Sequence, residues 1–178
     1  MGTGKPLLDA GGATFLARIL SSLGEGGAHP IVVVVRDLEG TVAGEARSQG
    51  GIVIPNPDPT PGPISSLQAG IHGLPTDAPA TFFCPADHPL FRPETVRTLG
   101  WAFARKPAPV LSPTYGGRRG HPVVFHRDLF PELLEEGLPE GARSVIRRYL
   151  QHRVEVPVED PGILIDIDTP TDYLLHFS

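Results

Sequence analysis

The chain has 178 residues, enough for one domain, and 40% of them are hydrophobic, so it can bury a substantial core. Its 15 basic and 20 acidic residues give a net charge of −5, which argues against binding to a nucleic-acid backbone but not against a small anionic ligand. The single cysteine, Cys84, excludes an intramolecular disulfide and a Cys-rich zinc site.

The longest apolar run, 30–35, is far shorter than the ~20 residues that cross a bilayer. No basic segment followed by an apolar stretch opens the sequence, as a signal peptide would require. We therefore expect a cytoplasmic protein that binds neither membrane nor nucleic acid.

Strand-like runs alternate with helical patterns in the first half of the chain. The run PIVVVVR at 30–36 is β-branched without polar alternation, which is typical of a strand covered on both faces. Further strands are predicted at 51–55 and 81–84, and helices at 13–23, 41–48 and 64–74. This order predicts a single α/β domain over 1–178, a Rossmann-like three-layer sandwich with a mostly parallel sheet.

The second half continues with a helix at 94–106, opened by Pro93. Strands at 109–112 and 121–126 flank a polar, glycine-rich connection, and helices near 129–136 and 142–150 follow. Short strands are predicted at 153–158 and 163–167. The sequence Asp168-Thr169-Pro170 then opens a last helix with a side-chain oxygen at its cap and proline just inside.

Three polar loops follow predicted strands, at the sheet edge where ligands of open α/β folds bind. In the first loop, 56–66, Ser65 and Ser66 lie at a helix N-terminus, where free N–H groups suit ribose or phosphate oxygens. A rigid proline-rich turn with a serine cap is the alternative interpretation. The loop therefore predicts a nucleotide contact only in combination with the other two.

Carboxylates mark the other two loops. Asp87 in PADHP follows the third strand, a usual place for a Mg²⁺ ligand that bridges to phosphate, although aspartate is also common in turns. Asp166 and Asp168 end the last predicted strand, and the two-residue period of a strand places them on one side. For Asp168, helix capping is the alternative. Together the three loops predict a site for phosphate and metal.

Five segments recur in one enzyme family in the same order. They are MGTGKPLL at 1–8, PGPISSLQAG at 61–70, ADHPL at 86–90, RGHPVVF at 119–125 and DIDTPTD at 166–172, and EGAR at 140–143 also matches. They resemble motifs of the MobA-like nucleotidyltransferases, which comprise molybdenum cofactor guanylyltransferases and cytidylyltransferases. The cytidylyltransferase branch is the more similar.

The resemblance implies a nucleotide-diphospho-sugar transferase type of fold and a Mg²⁺-dependent enzyme. Such an enzyme transfers a nucleotidyl group, here CMP in preference to GMP, from a nucleoside triphosphate to a phosphorylated acceptor such as molybdopterin, and releases pyrophosphate. A target molybdoenzyme or a chaperone is a further expected partner.

The same resemblance assigns roles to residues of this chain. Lys5, Asp87 and Asp168 would be catalytic, and the two aspartates would hold the metal. The nucleotide would contact Gly2, Lys5, Gly62, Ser65, Ser66 and Asp87. The acceptor would contact Arg119, Gly120, His121 and Pro122.

Several of these residues have plainer interpretations. His121 could instead begin a strand and bond a backbone carbonyl, and Arg118 and Arg119 could form a solvated loop tip. His88 could orient the Asp87 carboxylate, and Cys84 is interpreted as a small buried hydrophobic residue.

Members of the family begin with a strand and an L-A-A-G-x-S-x-R loop ahead of the segment that Met1 opens here. We therefore expect the first strand and most of the phosphate loop to be absent and a sheet edge to be exposed. The favoured explanation is a truncated form of an enzyme, through a start assigned too late or an artificially shortened chain. A natural loss of nucleotide binding is the other.

Two other functions stay open. The first is a non-catalytic pterin- or nucleotide-binding or assembly protein of the same fold. The second is a sugar-phosphate nucleotidyltransferase.

Overall fold

The computed structural model describes residues 4–177, so the expectation for Gly2 lies outside the described residues. The strands are β1 (Val32–Val35), β2 (Ile52–Pro55), β3 (Ala80–Phe83), β4 (Val110–Tyr115), β5 (Arg118–Arg119), β6 (Val123–His126) and β7 (Val154–Pro157). The helices are α1 (Phe15–Glu25), α2 (Thr41–Ser48), α3 (Pro63–His72), α4 (Pro93–Arg105), α5 (Phe130–Leu133), α6 (Ala142–Arg148) and α7 (Pro170–Phe177). Short 3₁₀ turns occupy Lys5–Leu7, Arg127–Leu129 and Pro161–Leu164.

Helix α1 begins at a capping residue and buries one apolar face, and both features follow from its sequence. The Thr14 Oγ1 accepts a hydrogen bond from the Ala17 N–H at 3.1 Å, which satisfies one free donor of the first turn. Its apolar side chains recur at helical spacing and are all buried: Phe15, Leu16, Ile19, Leu20 and Leu23. The helix is thereby fixed along one face of the core.

The strands form two sheets. In the first, β1 and β2 run parallel, with Val32 opposite Ile52 and Val35 opposite Pro55. In the second, the order is β3-β6-β4-β5, and β7 lies parallel to β4. The α/β sandwich expected from the sequence is confirmed.

Strands β5 and β6 run antiparallel to their neighbours. The chain reverses between Tyr115 and Arg118, where Gly116 and Gly117 both have positive φ angles, of 55° and 75°. Two successive residues of this kind make the tight hairpin turn that matches the twist of the strands. The parallel arrangement therefore gives way to a hairpin after β4.

The predicted strand at 163–167 is wrong. The segment Pro161–Leu164 is a 3₁₀ turn, and the residues after it have no regular structure. The backbone of residues 163–167 forms hydrogen bonds with two different loops. The Ile163 carbonyl accepts from the His121 N–H at 2.9 Å, and the Ile167 N–H donates to the Asp87 carbonyl at 2.9 Å. Gly162 lies so close to the Leu90 carbonyl that a Cβ there would overlap it. A continuous ladder does not form under these constraints.

The other predicted elements are confirmed to within a few residues, except that 129–136 is a 3₁₀ turn followed by the single-turn helix α5. None of the helices within residues 4–177 is long and apolar enough to cross a membrane.

An apolar slot of about 720 Å³ lies between β1 and β3, with α1 and α3 along its walls. In the described part of the chain β1 pairs with β2 alone and β3 with β6 alone, so each strand has one unpaired edge. The exposed sheet edge that the sequence led us to expect is present.

Candidate active site

Three charged side chains from distant parts of the chain meet beyond the end of β3. The Lys5 Nζ lies 2.7 Å from Asp168 Oδ1 and 3.6 Å from Asp87 Oδ2. The Lys5 side chain is 18% exposed and that of Asp168 62%, so the cluster opens to solvent on the Asp168 side. The structure therefore brings together the three residues that the resemblance named as catalytic.

The backbone beneath this cluster is fixed by direct contacts. The Ile167 N–H donates to the carbonyl of Asp87 itself, which ties the loop after β3 to the segment that carries Asp168. The Phe15 N–H donates to the Leu8 carbonyl at 3.0 Å and holds the Lys5 turn against α1. An apolar cluster of Ala10, Phe15 and Ile167 lies underneath.

Asp168 does not cap α7. The Thr169 Oγ1 accepts from the Asp172 N–H at 3.2 Å, and an Asp172 carboxylate oxygen accepts from the Thr169 N–H at 2.7 Å. This reciprocal pair of hydrogen bonds is a capping box, and it provides acceptors for backbone N–H groups at the start of α7 without using the Asp168 side chain. The Asp168 carboxylate is therefore available to Lys5 or to a ligand.

Two histidine rings line the inner side of the cluster. The centroids of the His88 and His121 rings are 4.5 Å apart, and His121 Nδ1 is 3.5 Å from the Phe83 carbonyl oxygen. Burial, reinforced by His88, lowers the pKa of His121 to about 4, so its ring is neutral at pH 7. Burial also lowers the pKa of His88, against the opposing effect of Asp87. Both rings can exchange hydrogen bonds here without bringing charge.

The carboxylates fit a divalent cation shared with a substrate. Asp87 Oδ1 is buried and has no hydrogen-bond partner within the described residues, although His88 Nε2 lies 3.7 Å away. Residues 4–177 contain no group of three or more acidic, histidine or cysteine side chains placed to hold a metal. Mg²⁺ is commonly held by one or two carboxylates plus substrate phosphates rather than by an all-protein cage. Asp87 and Asp168 supply a donor set of that kind.

The loop before α3 is organised by a buried asparagine. The Asn56 Nδ2 donates to Ser65 Oγ at 2.9 Å and to Ser66 Oγ at 3.1 Å. The Ser65 hydroxyl donates to the Gly62 carbonyl at 2.8 Å, so its proton is used within the loop. Ser66 lines the slot. Gly62 turns the chain into the helix with a φ of 84°.

The residues expected to contact the acceptor lie at different depths. The exposed Arg119 donates from Nε to Glu155 at 2.6 Å, and Arg118 is also exposed on β5. Gly120 lies against the backbone of Ile163, where a Cβ would overlap the carbonyl oxygen. Pro122 is buried. His121 lies beside the Lys5 cluster through its contact with His88.

Several buried polar residues were not singled out by the sequence analysis, and two of them organise loops near the site. Asn56 is 6% exposed and Asp160 is 2% exposed. The Asp160 carboxylate accepts from the Arg92 N–H, the Thr95 hydroxyl and the Gly162 N–H, and so joins the start of α4 to the 3₁₀ turn. Each residue directly precedes a proline, a turn signal that could have drawn attention to it.

The α/β sandwich described above is the fold of the nucleotide-diphospho-sugar transferases. The MobA-like NTP transferase domain matches residues 1–154, and the chain belongs to this family.

The chain is 25% identical over 122 residues to the molybdenum cofactor cytidylyltransferase of Escherichia coli (strain K12). That alignment covers 68% of this chain and 60% of the relative, so the chain spans about three fifths of the relative's length. The crystal structure of Rv0371c from Mycobacterium tuberculosis H37Rv has a TM-score of 0.81 at 24% identity and covers 99% of this chain and 90% of that one. Its complex with manganese has a TM-score of 0.79 at 23% identity, with 99% and 92% covered.

Proposed function

We propose that this protein is a divalent-metal-dependent nucleotidyltransferase that moves a nucleotidyl group, CMP in preference to GMP, from a nucleoside triphosphate to molybdopterin. The observation that carries the proposal is the cluster of Lys5, Asp87 and Asp168, in which one ammonium lies between two carboxylates at the end of β3. The E. coli relative, a molybdenum cofactor cytidylyltransferase, supports the choice of acceptor and base.

The reaction requires positioning and charge neutralisation rather than a covalent nucleophile on the protein. A phosphate oxygen of the acceptor forms a bond to the α-phosphorus as the bond from that phosphorus to the bridging oxygen breaks, and pyrophosphate leaves. A bound Mg²⁺ or Mn²⁺ supplies charge neutralisation on the α-phosphate and on the pyrophosphate. The manganese complex of the M. tuberculosis protein supports a divalent cation of this size and charge.

Each residue of the cluster then has a defined task. Asp87 and Asp168 would hold the cation, and the buried Asp87 Oδ1 has no hydrogen-bond partner within the described residues. Lys5 donates hydrogen bonds from Nζ to phosphate oxygens. His121, neutral at pH 7, offers its ring to the acceptor, and Arg119 pairs with the acceptor's phosphate after leaving Glu155.

The nucleoside would lie against the start of α3. The Ser66 Oγ already accepts a hydrogen bond from Asn56, so its own proton is directed to another acceptor such as a ribose or base oxygen. Ser65 and Gly62 shape the turn that presents this helix end.

Equilibrium binding of Mn²⁺ and of CTP, followed by pyrophosphate release, tests the proposal. Asp168→Asn should weaken Mn²⁺ binding at least about tenfold, whereas Asp77→Asn, at an exposed position before the opposite end of β3, should leave it unchanged. Lys5→Ala should weaken CTP binding, and Lys106→Ala, at the exposed end of α4, is its control.

Assays with two different acceptors, molybdopterin and a sugar phosphate, distinguish the proposed activity from the other two functions that the sequence left open. Pyrophosphate release with CTP and molybdopterin, and none with a sugar phosphate, is the expected result. Release with the sugar phosphate alone would make the protein a sugar-phosphate nucleotidyltransferase, and binding without release would make it a non-catalytic binding protein. Equal Mn²⁺ affinities of the two asparagine variants would refute the metal site.

A further inference from the structure

The positive charge between the two carboxylates of the candidate site comes from one side chain. Among the described residues, Lys5 is the only lysine or arginine with a charged nitrogen within 4.0 Å of Asp87 or Asp168. His88 Nε2 approaches Asp87 at 3.7 Å, but burial lowers the pKa of His88, so its ring is mainly neutral at pH 7. Two carboxylates therefore share a single ammonium, and the cluster of Lys5, Asp87 and Asp168 keeps a net negative charge.

The contact between Lys5 and Asp168 lies on the open side of this cluster. The Asp168 side chain is twice as exposed as that of Asp87, at 62% against 31%. Within residues 4–177 the Asp168 carboxylate accepts a hydrogen bond from Lys5 alone, because Asp172 takes the N–H groups at the start of α7. An ion pair so open to water is weak. Lys5 and Asp168 can therefore separate when either of them meets a stronger partner.

The Lys5 side chain can change partners while its backbone stays in place. The Lys5 carbonyl accepts from the Leu8 N–H at 3.1 Å, and the Leu8 carbonyl accepts from the Phe15 N–H at 3.0 Å, which holds the turn against α1. Beyond this fixed backbone, lysine carries its charge as a compact group on a flexible four-carbon stem. Movement of the ammonium away from Asp168 therefore requires only rotations within one side chain.

Lys5 occupies the oxygens that a metal ion would use. Its Nζ is 2.7 Å from Asp168 Oδ1, so an ion bound to that oxygen would lie directly beside the ammonium if Lys5 did not move. Like charges at such separations repel strongly in a partly buried site. The phosphate oxygens of a nucleoside triphosphate remove the conflict, because they accept charge-assisted hydrogen bonds from an ammonium and also bind divalent cations.

We propose that Lys5 is an exchangeable counter-ion. Lys5 neutralises Asp87 and Asp168 while no metal is bound, and it passes to a phosphate oxygen when the nucleotide arrives, which frees both carboxylates for the cation. This inference rests on the proposed function and adds that the site binds free metal weakly and metal together with a triphosphate tightly. By linkage, the nucleotide and the metal then strengthen each other's binding by the same factor.

Binding of Mn²⁺ to the nucleotide-free protein at low salt, measured by electron paramagnetic resonance of the unbound ion, tests the exchange. Lys5→Met keeps an unbranched apolar side chain but removes the charge, so the Mn²⁺ affinity should rise about tenfold. Lys5→Arg keeps the charge and should bind Mn²⁺ as weakly as the unsubstituted protein. Lys106→Met, at the only other lysine of the sequence, is the matched control and should have no effect.

Binding of CTP in the presence of EDTA gives a second measurement on the same variants. Without metal, Lys5→Met should bind CTP at least about threefold more weakly, because a charged donor to the phosphates is lost. Lys106→Met should bind it normally. A substitution that only disturbed the fold of the site would weaken the binding of both ligands, whereas loss of a counter-ion strengthens the binding of Mn²⁺ and weakens that of CTP.

The outcomes distinguish a failure of this inference from a failure of the proposed function. If Asp168→Asn weakens Mn²⁺ binding but Lys5→Met strengthens it by less than about threefold, the exchange is wrong and the metal site stands. An equal gain in Lys5→Arg and Lys5→Met would also overturn the exchange, because the charge would not be its cause. If Asp168→Asn leaves Mn²⁺ binding unchanged, the metal site itself is refuted, and the exchange with it.

Discussion

Replacing Asp160 by alanine should destabilise the fold more than any surface change nearby. The carboxylate is 2% exposed and accepts three hydrogen bonds, from the Arg92 N–H at 2.8 Å, the Thr95 hydroxyl at 2.7 Å and the Gly162 N–H at 3.0 Å. Alanine removes all three acceptors and leaves the donors in place.

The size of the effect follows from those donors. A buried donor without an acceptor costs about 1–3 kcal/mol, and Thr95 and Gly162 are both buried. We therefore expect Asp160→Ala to lower the free energy of unfolding by about 4 kcal/mol, about 2 kcal/mol for each of these two donors. Asp160→Asn keeps one acceptor oxygen and should lose about half as much.

Urea unfolding followed by far-ultraviolet circular dichroism measures this loss. Trp101 is 71% exposed, so its fluorescence would report the transition poorly. With a urea dependence of about 2 kcal/mol/M, the midpoint should fall by about 2 M. Glu159→Ala, at the exposed neighbouring position, is the control. If Asp160→Ala lies within about 1 kcal/mol of that control, the argument from buried donors fails.

Three further outcomes are expected. Gly120→Ala should lower the melting temperature by several degrees, because its Cβ would overlap the Ile163 carbonyl oxygen; an unchanged melting temperature in calorimetry would contradict this. The pKa of His121 is about 4 in the folded chain and about 6.5 in the unfolded chain. The free energy of unfolding should therefore fall as the pH drops from about 6.5 towards 4, and it should fall less in His121→Gln. An NMR titration in which the His121 ring titrates near pH 6.5 would contradict this prediction. Cys84 is half-buried on the wall of the slot, and so less covered than the sequence predicts. Desolvation, reinforced by Asp87, raises the pKa of its thiol, so at pH 8 Ellman's reagent should modify the folded chain far more slowly than the urea-unfolded chain; equal rates would contradict the raised pKa.

The sequence predicted elements well where one local signal dominated. The run of four valines in β1 and the helix predicted at 13–23 needed only β-branching and helical spacing to be recognised. The segment 163–167 has an equally apolar pattern, but Gly162 lies against the Leu90 backbone and Ile163 bonds to His121. Those long-range contacts determine its conformation, and no local pattern records them.

In the candidate site, too, the features set by local sequence were predicted, and those set by long-range contacts were not. Sequence order placed Asp87 and Asp168 at one edge of the sheet, but whether Asp168 capped the helix depended on Thr169 and Asp172, which form the capping box. Asn56 was read as part of a turn because its two serine partners lie nine and ten residues away. Burial of polar side chains depends on tertiary packing, so such residues emerge only from the structure.

The hydrogen bond from the Ile167 N–H to the Asp87 carbonyl joins main chain to main chain, directly beside both carboxylates. The separation of the two backbone segments that carry Asp87 and Asp168 is therefore held by a main-chain bond and does not depend on which acidic side chain occupies either position. Exchanging either aspartate for glutamate would move a carboxylate oxygen by about 1.5 Å, one C–C bond, on an unchanged backbone. If Asp87 and Asp168 hold a cation as proposed, its preferred size can be altered one side chain at a time on this frame.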